Sequence, residues 1–141
     1  EDYILKALNR VLATRPDWEV ETYTDAATAL RRARTTVFDA VITDYRMPDM
    51  DGIEMLQELR TMQPDTIRIL LTGVIDIDTL MSAINQAGAF RFVPKPWDDD
   101  QLLESVEEGL KFRDILVENK ILAQTVRDQR EALRSMGYDG E

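Results

Sequence analysis

Three short apolar runs in this 141-residue chain each end on a side chain that can handle a charged oxygen. Phe38-Asp-Ala-Val-Ile-Thr leads to the carboxylate of Asp44, Arg68-Ile-Leu-Leu to the hydroxyl of Thr72, and Phe90-Arg-Phe-Val-Pro to the ammonium of Lys95. Apolar runs of this length, bounded by turn residues, suit strands buried on both faces. Polar groups at the carboxyl tips of parallel strands stand where open α/β sheets place their ligands. Alone, Asp44 reads best as a helix or turn cap. A carboxylate, a hydroxyl and a cation at the same end of three strands read instead as a set for holding a phosphoryl group.

The elements that must position this set follow from periodicity. Ile4, Leu5, Leu8, Val11 and Leu12 recur at helical spacing, and Arg15-Pro16 ends that helix. Glu19 to Tyr23 alternates like a strand near an edge. Thr24-Asp25 supplies cap chemistry for a helix with Ala26, Leu30 and Ala33 inward. After Asp44, Met47-Pro48-Asp49-Met50-Asp51-Gly52 forces a turn before a helix over 53–62 with Met55, Leu56 and Leu59 inward. The strand over 68–72 leads to a helix over 78–87 that buries Leu80, Met81 and Ile84 and is capped by Gly88. A short strand over 91–93 precedes the Pro94 and Pro96 loop. Asp98, Asp99 and Asp100 then load negative charge at the start of a long helix, where the macrodipole favours it. Strands alternating with helices mean a parallel sheet covered on both faces.

Composition narrows the chemistry. The chain has no Cys and no His, which removes disulfides, thiolate metal sites and the usual general base. It also has no Gly-rich phosphate loop, so an independent hydrolase is disfavoured. The net charge of −10 argues against a nucleic-acid surface in this segment. No apolar run approaches membrane-spanning length and no signal peptide is visible, so no membrane partner and a cytoplasmic location are expected. Residues 1–110 hold 11 basic and 21 acidic side chains, net −10, whereas 111–141 hold six of each. The shift marks a boundary near Leu110.

The pattern Asp44-x-x-Met47-Pro48-x-x-x-Gly52, the Leu70-Leu71-Thr72-Gly73 strand end and Lys95 before Pro96 resemble the receiver domain of two-component response regulators. The motifs stand 28 and 23 residues apart in the order of that family. The resemblance covers about residues 1–110. It implies a flavodoxin-like, doubly wound parallel sheet of five strands in the order 2-1-3-4-5, with Asp44 as phosphoacceptor. A sensor histidine kinase or phosphotransfer protein would be the donor, and the module would signal rather than act as an independent enzyme. Thr72 and Phe92 would form the switch pair, although core packing is the larger role expected of Phe92, and Lys95 would pair with a phosphoryl oxygen. Asp44 and the backbone carbonyl of Arg46 would be ligands of Mg²⁺. Lys95-Pro96 is often cis in such domains.

Only four of the five strands are visible. The first is missing, and with it the acidic pair that completes the Mg²⁺ site; the count places that pair just before residue 1, with Glu1 and Asp2 at most its tail. The chain also starts without Met, as a fragment would. Weak Mg²⁺ binding and slow or no phosphorylation are therefore expected unless the natural polypeptide supplies that strand. The alternative is a phosphorylation-incompetent truncated receiver serving as a dimerisation module.

From Gln101 the helical pattern continues past the length needed to cover a sheet. Phe112, Asn119, Val126 and Leu133 fall at a positions of a heptad, and Ile115, Leu122, Gln129 and Met136 at d. A single Asn at an a position costs stability but fixes register and favours two parallel strands. The expected organisation is a receiver over 1–110, a coiled-coil dimerisation helix over 111–136 and a tail over 137–141. Leu116, Val117 and Ile121 widen the apolar face and leave packing on another domain, or a four-helix arrangement, open as well.

Overall fold

The computed structural model describes residues 2–47, 49–73 and 77–137; Glu1, Pro48 and tail residues 138–141, all invoked above, lie outside them. The order is α1 (Asp2–Leu12), α2 (Ala26–Ala33), β1 (Ala40–Asp44), α3 (Gly52–Met62), β2 (Ile67–Thr72), α4 (Ile77–Ser82, continued by a π-helical turn over Ala83–Ala87), β3 (Arg91–Pro94) and α5 (Asp99–Ser135). The described strands form one parallel sheet in the order β1-β2-β3. Side-chain alternation splits the core into two layers. Leu70 and Phe92 face α2, α3 and the end of the π turn, while Ile67, Ile69, Leu71 and Val93 face α1 and α5.

The ends of the helices follow the capping chemistry of the sequence. Asp25 accepts from Thr28 N–H, Asp51 from Glu54 N–H, and Asp98 from Asp100 and Gln101 N–H, each satisfying donors that the first helical turn cannot. Gly88 closes α4 at φ +62, a left-handed conformation that favours glycine. At the same end Arg60 and Arg68 donate to the carbonyls of Gln86 and Ala87. Cations there complement the negative end of the helix dipole.

Three expectations are corrected. Residues 19–23 form no strand, so the described residues contribute three strands and not four. An alternating run becomes a strand only when a neighbour takes its backbone hydrogen bonds, and between these residues and β1 lies a groove of about 480 Å³ lined by Leu5, Trp18, Val20, Tyr23, Val41 and Ile42 among others. For the same reason β1 is less buried than a strand covered on both faces: Ala40, Val41 and Ile42 stay half-buried, whereas five of the six β2 residues are buried. Finally, Met81 and Ile84 are exposed and Ala87 is buried in their place. The π turn rotates the side chains past Ser82 out of helical phase, which accounts for Ile84 and Ala87; Met81, before the turn, lies on the outer side of α4.

One buried side chain ties three elements together. Gln63, just past α3, donates from Nε2 to the carbonyls of Ala33 and Thr36 at 2.6 Å each and accepts at Oε1 from Phe38 N–H at 2.9 Å. The Thr66 hydroxyl lies 2.8 Å from both that oxygen and the Phe38 carbonyl. The amide is saturated, which makes its burial tolerable. Replacing it by Leu strands a donor and two carbonyls at about 1–3 kcal/mol each. Gln63→Leu is expected to lower stability by about 3 kcal/mol in urea unfolding; a loss within about 0.5 kcal/mol, as for an ordinary surface site, would contradict the network.

Candidate functional site

The sheet register brings the three chemical side chains to one edge. Asp44 pairs with Leu71, one residue before Thr72, and Thr72 pairs with Pro94, one residue before Lys95. Lys95 N–H donates to the Thr72 carbonyl at 2.7 Å, which carries the ladder one step beyond β3 and holds the lysine over the β2 tip. Its Nζ then lies 3.0 Å from each oxygen of Asp44. The side chains of Lys95 and Asp44 are 26% and 14% exposed, so the pair is sheltered without being sealed. Thr72 is buried at the same edge. The Lys95-Pro96 peptide bond is cis.

The loop after Asp44 is folded back tightly. Tyr45 N–H donates to the Leu71 carbonyl, and Gly52 N–H to the Tyr45 carbonyl at 2.8 Å. A Cβ at residue 52 would sit 2.3 Å from the Asp44 carbonyl oxygen and 2.8 Å from Leu70 Cδ1, so only glycine lets α3 begin this close to the strand tip. Arg46 N–H lies 3.3 Å from Asp44 Oδ1. Phe92 belongs to the middle of β3, where it is partly buried against the layer formed by α2, α3 and the π turn. It sits two residues before the β3 tip, below the polar edge.

Asp49 is a residue whose part was not visible in the sequence. Its carboxylate accepts from Ala27 N–H at 3.0 Å and Ala26 N–H at 3.4 Å, so it caps α2 from a distant loop, beside the local cap Asp25. Desolvation pushes its pKa up, but the hydrogen bonds from Ala27 and Ala26 outweigh this and hold the carboxyl below its ordinary range. The only sequence signal was an Asp in a Pro- and Gly-punctuated loop, which a turn explains equally well.

The fit to a divalent cation is incomplete. Asp44 offers one carboxylate and Arg46 a backbone carbonyl, and among the described residues no three Asp, Glu, His or Cys side chains stand close enough to share a metal ion. Mg²⁺ ordinarily takes one or two carboxylates with phosphate and water in octahedral geometry. Asp44 supplies one such carboxylate, the lower end of that set.

Comparison with known proteins decides the family. The family model of the response regulator receiver domain matches residues 1–107. This chain is a response regulator receiver domain. It is 33% identical over 107 residues to the hydrogenase transcriptional regulatory protein HoxA of Bradyrhizobium diazoefficiens, covering 76% of this chain and 22% of that protein. It is also 33% identical over 118 residues to the C4-dicarboxylate transport transcriptional regulatory protein DctD of Rhizobium meliloti, covering 84% and 25%. The receiver thus spans about a quarter of the length of these relatives. The signal receiver domain of an HD domain-containing protein from Pseudomonas fluorescens Pf-5 superposes with a TM-score of 0.79 at 33% identity, covering 84% of this chain and 86% of that one.

Receiver domains belong to two-component signalling and are typically signalling modules, which interact with sensor histidine kinases or phosphotransfer proteins and bind Mg²⁺ at the phosphorylation site. No helix among the described residues is long and apolar enough to cross a membrane.

The Asp49 cap has a measurable pH signature. Because the folded pKa lies below the unfolded one, its contribution is present above the ordinary aspartate range of about 3.9 and is lost as pH falls through the folded value. Hydrogen-exchange protection of the Ala26 and Ala27 amides should hold at pH 5 and fall as the pH drops below that range. Asp49→Ala should show the low protection at every pH; unchanged protection in that variant would contradict the cap.

Proposed function

We propose that Asp44 accepts a phosphoryl group from a phosphohistidine of a sensor kinase or phosphotransfer protein. The observation that carries this reading is Lys95 Nζ at 3.0 Å from both Asp44 oxygens at the mouth of the sheet. A carboxylate oxygen of Asp44 attacks phosphorus in line, the bond to the imidazole nitrogen breaks, and the leaving imidazole takes up a proton. Lys95 is placed to exchange its carboxylate partner for a phosphoryl oxygen, offsetting the added charge. Thr72, buried on the adjoining tip, is the hydroxyl that would move to a second oxygen, with Phe92 following in the layer beneath. A group of nearly two negative charges added beside the 45–51 loop reorders its hydrogen bonds. Mg²⁺, when bound, offsets phosphoryl charge, with Asp44 and the Arg46 carbonyl among its ligands.

The same reading accounts for the groove. The edge of β1 away from β2 borders it, and one further parallel strand there, supplied by polypeptide outside residues 1–141, would end beside Asp44. That is where an acidic pair would add the oxygens that the metal site lacks. The 111–136 segment completes the reading as a coiled-coil helix through which two copies pair and transmit the switch to the rest of a longer regulator in the cytoplasm. A second reading, a dimerisation module that takes no phosphate, is supported by the absence, among the described residues, of three acidic side chains grouped to share a metal ion.

Intact mass after incubation with acetyl phosphate and Mg²⁺ separates the two. The first reading predicts an adduct of one phosphoryl group that disappears in Asp44→Asn. A folded wild-type chain that gains no mass would leave only the second.

A further inference from the structure

The segment between Asp44 and α3 crosses the mouth of the site, and backbone bonds fix its two ends. Tyr45 N–H donates to the Leu71 carbonyl at 3.1 Å, and Gly52 N–H to the Tyr45 carbonyl. Between those ends Arg46 N–H turns back to Asp44 Oδ1 and Asp51 serves the first turn of α3, so both bond only to adjoining backbone or side chain. Met47 and Met50 pack against the layer of α2 and α3, contacts that hold without fixing a direction. Asp49 alone, among the described residues of the segment, reaches a helix distant in sequence with hydrogen bonds. Its Oδ2 accepts from Ala27 N–H at 3.0 Å and its Oδ1 from Ala26 N–H at 3.4 Å.

The amino end of α2 suits this grip. A helix begins with N–H groups that have no partner of their own. The local cap Asp25 takes only that of Thr28 with its side chain, which leaves those of Ala26 and Ala27 for a second acceptor. The first turn of α2 carries no acidic residue of its own, so the negative charge that the positive end of the dipole favours comes from Asp25 and Asp49. The two aspartates share one helix end but differ in what they join. Asp25 serves α2 alone, whereas Asp49 ties α2 to the segment that carries Arg46.

Given Asp44 as phosphoacceptor, the reading on which this rests, we propose that Asp49 is a positioning residue for phosphoryl transfer. By gripping the amino end of α2 it fixes the middle of the 45–51 segment, and with it the Arg46 backbone, beside Asp44. Such a tether matters most where a backbone carbonyl is to serve as a metal ligand, because Mg²⁺ demands near-ideal octahedral geometry. A side-chain ligand can swing into place, but a carbonyl goes only where its loop holds it. A segment freed at its middle would have to be ordered again whenever the metal or a phosphoryl group binds, and each residue so fixed costs conformational entropy. The grip of Asp49 on α2 meets that cost during folding instead, so the loop is already set when the ligands arrive.

The two aspartates supply test and control. Asp25→Ala weakens the start of α2 and leaves the tether in place; Asp49→Ala removes the tether. In the chain without metal or phosphoryl donor, Asp49→Ala should shift or broaden the amide resonances of Arg46 and Met47 together with those of Ala26 and Ala27. Asp25→Ala should move the Thr28 resonance and leave Arg46 where it is. With acetyl phosphate, Asp49→Ala should raise the Mg²⁺ concentration for half-maximal labelling by about tenfold, with a smaller change in the rate at saturating Mg²⁺, while Asp25→Ala should follow the wild type. Arg46 and Met47 resonances unmoved by Asp49→Ala, or moved equally by Asp25→Ala, would overturn the positioning role, as would an unchanged Mg²⁺ dependence. A folded wild-type chain that takes no phosphoryl group would overturn the reading at Asp44 and the positioning role with it, while the amide comparison would still decide whether Asp49 holds the loop.

Discussion

The ion pair between Lys95 and Asp44 depends on nearly everything else in this receiver, and constrains it in return. Two residues 51 positions apart meet at 3.0 Å because β2 lies between their strands, in a register that offsets Asp44 from Thr72 by one residue and Thr72 from Lys95 by one more. A slip of one residue would send every inward side chain of a strand to the other face. Ile69 and Leu71 pack with α1 and α5 and Leu70 with α2 and α3, so a slip would exchange the side chains fitted to the two layers. Gly52 adds a second constraint, because α3 must start against the Asp44 carbonyl for the loop to close over the site.

The molecule then divides along the strand direction. The carboxyl edge of the sheet carries Asp44, Thr72 and Lys95, and the amino edge carries Asp39, Asp65 and Phe90, which contact α5. β2, buried almost throughout, joins the two. An element so tightly packed on both faces shifts as a unit more readily than it deforms.

Much of this was legible in the sequence, for an identifiable reason. The strand tips are marked where apolar runs give way to Asp44, Thr72 and Lys95, and the caps Asp25 and Asp98 announce helices by local chemistry that needs no tertiary context. What stayed hidden required a partner distant in sequence. Alternation at residues 19–23 fits a strand, yet no described neighbour takes its hydrogen bonds. Gln63 and Asp49 serve carbonyls and N–H groups 22 to 30 residues away, and no periodicity reports that. The π turn put Ile84 on the surface and Ala87 in the core, a shift that a count at 3.6 residues per turn cannot anticipate.

The central claim is that phosphorus is bonded to Asp44 itself, and its most direct test is chemical localisation. An aspartyl phosphate is an acyl phosphate, which borohydride reduces to homoserine, whereas phosphate esters of Ser and Thr survive. Peptide mapping of the chain after treatment with a small phosphoryl donor and reduction should find homoserine at residue 44 and nowhere else. Homoserine at another Asp, or a phosphoryl group that resists reduction on Thr43 or Thr72, would contradict the account.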